Sequence, residues 1–142
     1  MPAIDRPGFI SAWNDPAFVA AIEKTGRKNL IMAGVTIDVC LAFAAMQAVD
    51  AAYNVYGVVD ASGALEVTIR ENAVARMKDH GITLINWTTV AAELQRNWTL
   101  PTGQELGRVA GYHVLKPPGL RAPPRRGRFV MCALVVFSLC GT

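Results

Sequence analysis

The sequence predicts an α/β fold built on a mainly parallel sheet. Short continuous apolar runs, which are typical of strands buried on both faces, alternate along the chain with segments of helical apolar spacing. This alternation implies right-handed crossover connections between parallel strands. The length of 142 residues and the hydrophobic content of 52% indicate a folded core and exclude an intrinsically disordered chain.

The helices and strands can be assigned in chain order. A first helix begins at Asn14-Asp15-Pro16, where a capping side chain precedes a proline, and it ends at Thr25-Gly26. The segment 39–52, rich in Ala, Leu, Met and Phe, predicts a helix that is packed on most of its surface. The remaining predicted elements are strands at 29–34, 55–59 and 82–87 and helices at about 68–80 and 88–98.

Charge divides the chain at Leu115. Residues 1–115 hold 9 Lys and Arg against 11 Asp and Glu, whereas residues 116–142 hold 5 basic residues and no acid. We therefore expect one α/β domain at 1–115 and, at 116–142, a Pro/Arg-rich and then apolar tail that is disordered or non-native. The apolar stretch Phe129–Cys140 leaves two alternatives open, an edge strand or a short helix.

Nothing at the N-terminus indicates export, since Met1–Asp5 has neither a basic region nor an apolar stretch. As a helix, the longest apolar run would span roughly 17 Å, against about 30 Å of bilayer hydrocarbon. The cysteines Cys40, Cys132 and Cys140 have no metal-binding spacing, and their odd number is a poor basis for disulfides. We expect a cytoplasmic protein with reduced thiols and with no metal, no nucleotide cofactor and no membrane partner.

Chemistry is predicted where the first strand ends and the next helix begins. Cys40 falls at or near the first helical turn after the strand, where the helix dipole lowers the pKa of a thiol and free amides can hold an oxyanion. A buried structural cysteine is the alternative, and position alone favours it. His80 is expected to be an exposed residue at a helix end, and Asp60 and Ser62 are expected to cap a turn.

A wider set of motifs favours a reactive Cys40 over a structural one. In order and spacing, they resemble the isochorismatase-like cysteine hydrolases over about residues 4–112, and most closely a branch of small oligomeric hydrolases of unassigned substrate. The segments that carry the resemblance are Arg6–Trp13, Lys28–Val35 with Cys40 five residues on, Asp60–Gly63, and Trp87 followed by Ala92–Trp98.

The resemblance implies a three-layer, Rossmann-like α/β fold. It also implies a Cys/Asp/Lys triad that hydrolyses an amide C–N bond through a thioester, although isochorismatases proper cleave a vinyl ether. Cys40 would be the nucleophile, and the backbone amides of Thr36 and Cys40 would form the oxyanion hole beside a cis peptide between Val35 and Thr36. Val35, Ile37 and Trp13 would line the substrate pocket, although filling the core is the favoured alternative for Trp13.

The chain also departs from the family pattern. The family's catalytic Asp and its strand have no counterpart, and Arg6, which cannot shuttle a proton, stands near the position of the family's Lys. Ile37 stands where a Thr is usual. We therefore expect an incomplete fold whose first strands are missing, with a tail that reads like a frameshift product.

Three functions follow from these observations. The first is a cysteine hydrolase of a small molecule, homo-oligomeric and impaired in activity. The second is a catalytically incomplete interaction or structural remnant of the same family. The third is an electrostatic contact of the basic tail with nucleic acid or an anionic membrane; it ranks last, because a basic run without interleaved aromatic residues is usually solvated, and we expect neither partner.

Overall fold

The computed structural model describes Ile4, residues 8–114 and the backbone of the segment 134–138. Arg6 and most of the tail at 116–142 lie outside the described residues, and the expectations for them stay predictions. No helix within the described ranges is long and apolar enough to cross a membrane.

The described residues contain four strands, five α-helices and three short helical turns. The strands are β1 (Asn29–Gly34), β2 (Asn54–Val58), β3 (Thr83–Ile85) and β4 (Leu134–Ser138). The helices are α1 (Pro16–Glu23), α2 (Ala42–Asp50), α3 (Val67–Asp79), α4 (Trp87–Gln95) and α5 (Gly103–Val114). The short turns are 3₁₀ at Ala12–Asn14 and Val59–Ala61 and π-helical at Ile37–Leu41, which we call the Cys40 turn.

The sheet has the strand order β3-β2-β1-β4. Strands β1, β2 and β3 are parallel, with Leu30 opposite Val55 and Gly57 opposite Leu84. This arrangement confirms the α/β fold with a mainly parallel sheet. Strand β4 pairs antiparallel with β1, so of the two alternatives for the end of the tail, the structure contains the edge strand.

Helix α2 packs closely against its neighbours. Four of its nine residues are alanines with no solvent exposure, and this lets the helix backbone lie close to its neighbours. The burial predicted for most of the surface of a helix at 39–52 is confirmed, although the start of that segment belongs to the π-helical Cys40 turn and α2 ends at Asp50. The largest fully buried side chains come from α1, β1, the Cys40 turn and α3: Ile22, Leu30, Met32, Ile37, Leu41 and Met77.

The described residues divide into two compact units. Residues up to Asn86, together with β4, form the first unit and contain the whole sheet. Helices α4 and α5 belong to the second unit, in which Trp87 and His113 make an edge-to-face ring contact with centroids 5.6 Å apart. The predicted last helix, at 88–98, begins one residue earlier than expected and ends at Gln95.

Replacing the core side chain of α3 tests this packing. We expect Met77→Ala to lower the free energy of unfolding by about 2–5 kcal/mol, because a fully buried side chain leaves a cavity. The matched control is Lys78→Ala on the exposed neighbour, which should change it by less than about 0.5 kcal/mol. Urea unfolding followed by circular dichroism measures both, and equal effects would contradict the described core.

Candidate active site

The loops that follow β1 and β2 are held together by a short parallel bridge between Thr36 and Gly63. The Gly63 N–H donates to the Val35 carbonyl at 3.1 Å, and the Ile37 N–H donates to the Gly63 carbonyl at 2.8 Å. The ends of two neighbouring strands therefore fix the backbone of Thr36 on both of its sides.

Ser62 ties the same two strand ends together from inside the protein. Its hydroxyl is buried, accepts the Gly34 N–H at 3.1 Å and donates to the Val58 carbonyl at 2.9 Å. The predicted turn-capping role covers only the bond to Val58. The hydrogen bond from Gly34 to Ser62 was not predicted, because it joins residues 28 positions apart and no local sequence pattern indicates it.

Two glycines permit the close approach of these backbones. A Cβ on Gly34 would lie 2.7 Å from the Leu41 nitrogen and 3.1 Å from the Cys40 Cβ. A Cβ on Gly63 would lie 2.6 Å from the Val35 carbonyl oxygen. Since real side chains do not approach backbone so closely, Gly34 is required for the Cys40 turn to rest directly on the end of β1, and Gly63 is required for the pairing with Val35.

Cys40 lies in the first helical turn after β1, where the sequence placed it. The residue is 8% exposed and its thiol forms no disulfide. The Thr36 hydroxyl lies 3.4 Å from the Cys40 Sγ, and the Cys40 N–H donates to the same hydroxyl at 3.5 Å. The Thr36 carbonyl accepts the Leu41 N–H at 3.1 Å, which is the wide hydrogen-bond spacing of a π-helix.

The peptide bond between Val35 and Thr36 is trans, so the cis bond implied by the resemblance is wrong for this chain. Thr36 has an extended backbone, with φ −119° and ψ 136°. In this trans, extended form, the Val35 carbonyl and the Ile37 N–H both reach Gly63, and this pairing accounts for the observed geometry.

The structure does not bring the three predicted pocket residues together as one surface. Val35 is 40% exposed at the end of β1, whereas Ile37 has no exposure and belongs to the core. Trp13 is half-buried and packs edge-to-face on Phe18 and Tyr53, with ring centroids 6.1 and 5.5 Å apart. Their roles in substrate binding stay predictions, as does the role of Arg6.

A separate cavity of about 610 Å³ lies between the Ala12–Asn14 turn, α2 and α3. Of the predicted site residues that the structure describes, none lines it. Several of its polar side chains bond to one another, since Gln47 Nε2 donates to Asn14 Oδ1 at 2.8 Å and His80 Nε2 lies 2.9 Å from Asp50 Oδ1. His80 is therefore paired, where the sequence indicated only a helix-end position. Across the described part of the chain, no three His, Cys, Asp or Glu side chains come together as a metal site.

Comparisons with known proteins agree with this architecture. The family model described as the isochorismatase domain matches residues 1–89. The probable hydrolase YcaC of Escherichia coli K12 is 44% identical over 97 residues, which are 68% of this chain and 47% of that protein.

Two solved structures are similar. YcaC from Pseudomonas aeruginosa, with hexane-2,5-diol and covalent acrylamide, has a TM-score of 0.72 and 42% identity, covering 78% of this chain and 54% of that one. Escherichia coli YcaC, an octameric hydrolase of unknown specificity, has a TM-score of 0.64 and 37% identity, covering 78% and 60%. The chain thus spans about half the length of the relatives it matches.

Adding one methyl group at Gly34 tests the contact between β1 and the Cys40 turn. We expect Gly34→Ala to lower the free energy of unfolding by about 1–3 kcal/mol, because the new Cβ would overlap the Leu41 backbone. The control is Gly107→Ala in α5, where a Cβ meets nothing within 4 Å and helix propensity favours Ala by up to about 1 kcal/mol. Denaturant unfolding compares the two variants, and a neutral Gly34→Ala would refute the close contact.

Proposed function

The chain belongs to the isochorismatase family, and from that premise we propose that it is a hydrolase acting on an amide-type C–N bond of a small molecule through Cys40. The observation that carries the proposal is the position of this cysteine. Its turn rests on the carboxyl end of β1, the edge at which open parallel sheets bind ligands.

The proposed reaction has two steps. The Cys40 thiol gives up its proton and the thiolate attacks the carbonyl carbon; the C–N bond then breaks, the amine leaves with the proton that the thiol released, and a thioester forms. Water then attacks the thioester and releases the carboxylic acid and the thiol. The predicted oxyanion donors are the backbone amides of Thr36 and Cys40, and the 3.5 Å bond from the Cys40 N–H to the Thr36 hydroxyl is long enough for a developing anion to replace it.

Covalent acrylamide in the Pseudomonas aeruginosa relative supports a nucleophilic centre in this branch of the family. Acrylamide is a primary amide and also an electrophile that adds to thiolates. In this chain we assign that reactivity to Cys40, the buried thiol of the Cys40 turn.

We further propose that turnover is slow. Arg6 stands near the position of the family's Lys and supplies charge without a transferable proton. The alternative is a catalytically incomplete member of the family. Ile37 favours it, because the position where a Thr is usual holds an apolar side chain that is fully buried.

A measurement of amide turnover distinguishes a slow hydrolase from a catalytically incomplete member of the family. We expect slow release of ammonia from small primary amides such as propionamide, and loss of nearly all of it, by at least about a thousandfold, in Cys40→Ala. Coupled detection of ammonia measures the rate, and mass spectrometry after acid quenching detects an acyl group on the Cys40 peptide.

The matched control removes the other two thiols. The double variant Cys132→Ser/Cys140→Ser should keep the rate of the parent chain. Ammonia release that survives in Cys40→Ala would overturn the proposed mechanism. A parent chain that neither releases ammonia nor acquires an acyl group would establish the incomplete alternative.

We also propose that the protein is a cytoplasmic homo-oligomer. The Escherichia coli relative is an octamer, and large apolar side chains stand exposed next to the Gly63 loop, with Leu65 87% and Val67 71% exposed. Light scattering coupled to size exclusion should give a multiple of the monomer mass, and Leu65→Glu/Val67→Glu should reduce it. A monomer at micromolar concentration would contradict the proposal.

A further inference from the structure

We propose that the side-chain hydroxyl of Thr36 is a positioning group for Cys40, which donates a hydrogen bond to the sulfur and so favours the thiolate. The inference deepens the proposed function and rests on it only for the identity of the nucleophile. From the sequence, Thr36 was expected to contribute only its backbone amide. The inference gives its side chain a role as well.

The direction of the hydrogen bonds follows from their chemistry. The Thr36 Oγ1 lies 3.5 Å from the Cys40 nitrogen and 3.4 Å from the Cys40 Sγ. An amide N–H can only donate, so the hydroxyl oxygen accepts there, and its single proton remains for the sulfur. A thiolate can only accept, and a hydrogen bond to a charged acceptor is stronger than one to a neutral thiol. The hydroxyl therefore stabilises the reactive form more than the resting form.

The hydroxyl is held in place before any substrate arrives. The backbone of Thr36 is fixed by the bridge to Gly63, and its carbonyl accepts the Leu41 N–H at 3.1 Å. Threonine is β-branched, so few rotamers are open to it. The geometry of the hydroxyl and the sulfur thus needs no rearrangement when the thiol ionises.

The π-helical spacing of the Cys40 turn makes this contact available. In an α-helical turn the Cys40 N–H would bond the Thr36 carbonyl. Here Leu41 takes that carbonyl, and the Cys40 N–H and Sγ both lie within reach of the Thr36 side chain. The close contact at Gly34, where a Cβ would lie 3.1 Å from the Cys40 Cβ, holds the sulfur-bearing residue against β1.

A purely structural capping role makes the opposite prediction for reactivity. If the Thr36 hydroxyl served only to cap the turn, its removal would loosen a turn that keeps Cys40 at 8% exposure, and alkylation would become faster. If the hydroxyl favours the thiolate, its removal makes alkylation slower. The sign of the change therefore distinguishes the two roles.

The experiment measures alkylation of Cys40 by acrylamide in the full-length chain. The thiolate sulfur bonds to the β-carbon of acrylamide, and the α-carbon takes a proton from water. Peptide-level mass spectrometry reports each cysteine separately, so that Cys132 and Cys140 serve as internal references. The variants are Thr36→Val, which keeps the shape and removes the hydroxyl, and Thr36→Ser, which restores it.

We expect Thr36→Val to slow Cys40 alkylation between about threefold and tenfold. Losing one charge-assisted hydrogen bond reduces the thiolate fraction, and part of this loss is offset because the remaining thiolate is intrinsically more nucleophilic. Thr36→Ser should recover most of the rate. Val39→Ala, which trims another side chain of the same turn and leaves the hydroxyl intact, should not slow it.

Faster or unchanged alkylation in Thr36→Val, or no recovery in Thr36→Ser, overturns the proposal. If Thr36→Val fails to fold by circular dichroism, Thr36→Ala compared with Thr36→Ser gives the same contrast. Because alkylation needs no hydrolysis, a chain without amide turnover that still shows the Thr36 effect would refute the proposed activity and leave this inference intact.

Discussion

The structure depends on one close contact between backbones, the seating of the Cys40 turn on the end of β1. Gly34 lacks the Cβ that would otherwise meet the Leu41 nitrogen at 2.7 Å, so the turn begins where the strand ends. Gly63 and the buried hydroxyl of Ser62 join β2 to the same point. These contacts involve backbone and small side chains, which have few conformations. They therefore position the Cys40 sulfur at a small cost in side-chain conformational entropy.

The sequence was sufficient for the fold and for the place of Cys40 in it, because both follow from local patterns. Strand β1 and helix α2 are visible as apolar runs with distinct spacing, and Cys40 stands between them. The π-helical turn could not be foreseen, since it differs from an α-helical one by a single shift in hydrogen-bond partner. The link from Ser62 to Gly34 and the pairing of His80 with Asp50 were equally hidden, because each joins residues about thirty positions apart.

The expected cis peptide shows the limit of inference from a family pattern. The resemblance places the oxyanion donors on the backbone of Thr36 and Cys40, and it couples them to a cis bond before Thr36. In this chain the same segment is a trans, extended strand partner of Gly63. The sequence Gly-Val-Thr admits both conformations, and the tertiary contact with Gly63 accompanies the one observed.

The departures from the family pattern fall into two physical classes. Ile37 replaces a usual hydroxyl with a fully buried apolar side chain, and the hydroxyl that lies 3.4 Å from the sulfur belongs instead to Thr36. That change alters packing and leaves a hydrogen-bond donor beside the Cys40 sulfur. Arg6, near the position of the family's Lys, cannot transfer a proton, and proton transfer is a step that amide hydrolysis requires and alkylation does not. The proposed reactivity of the thiol and the proposed hydrolysis of an amide therefore depend on different residues, and each can be tested without the other.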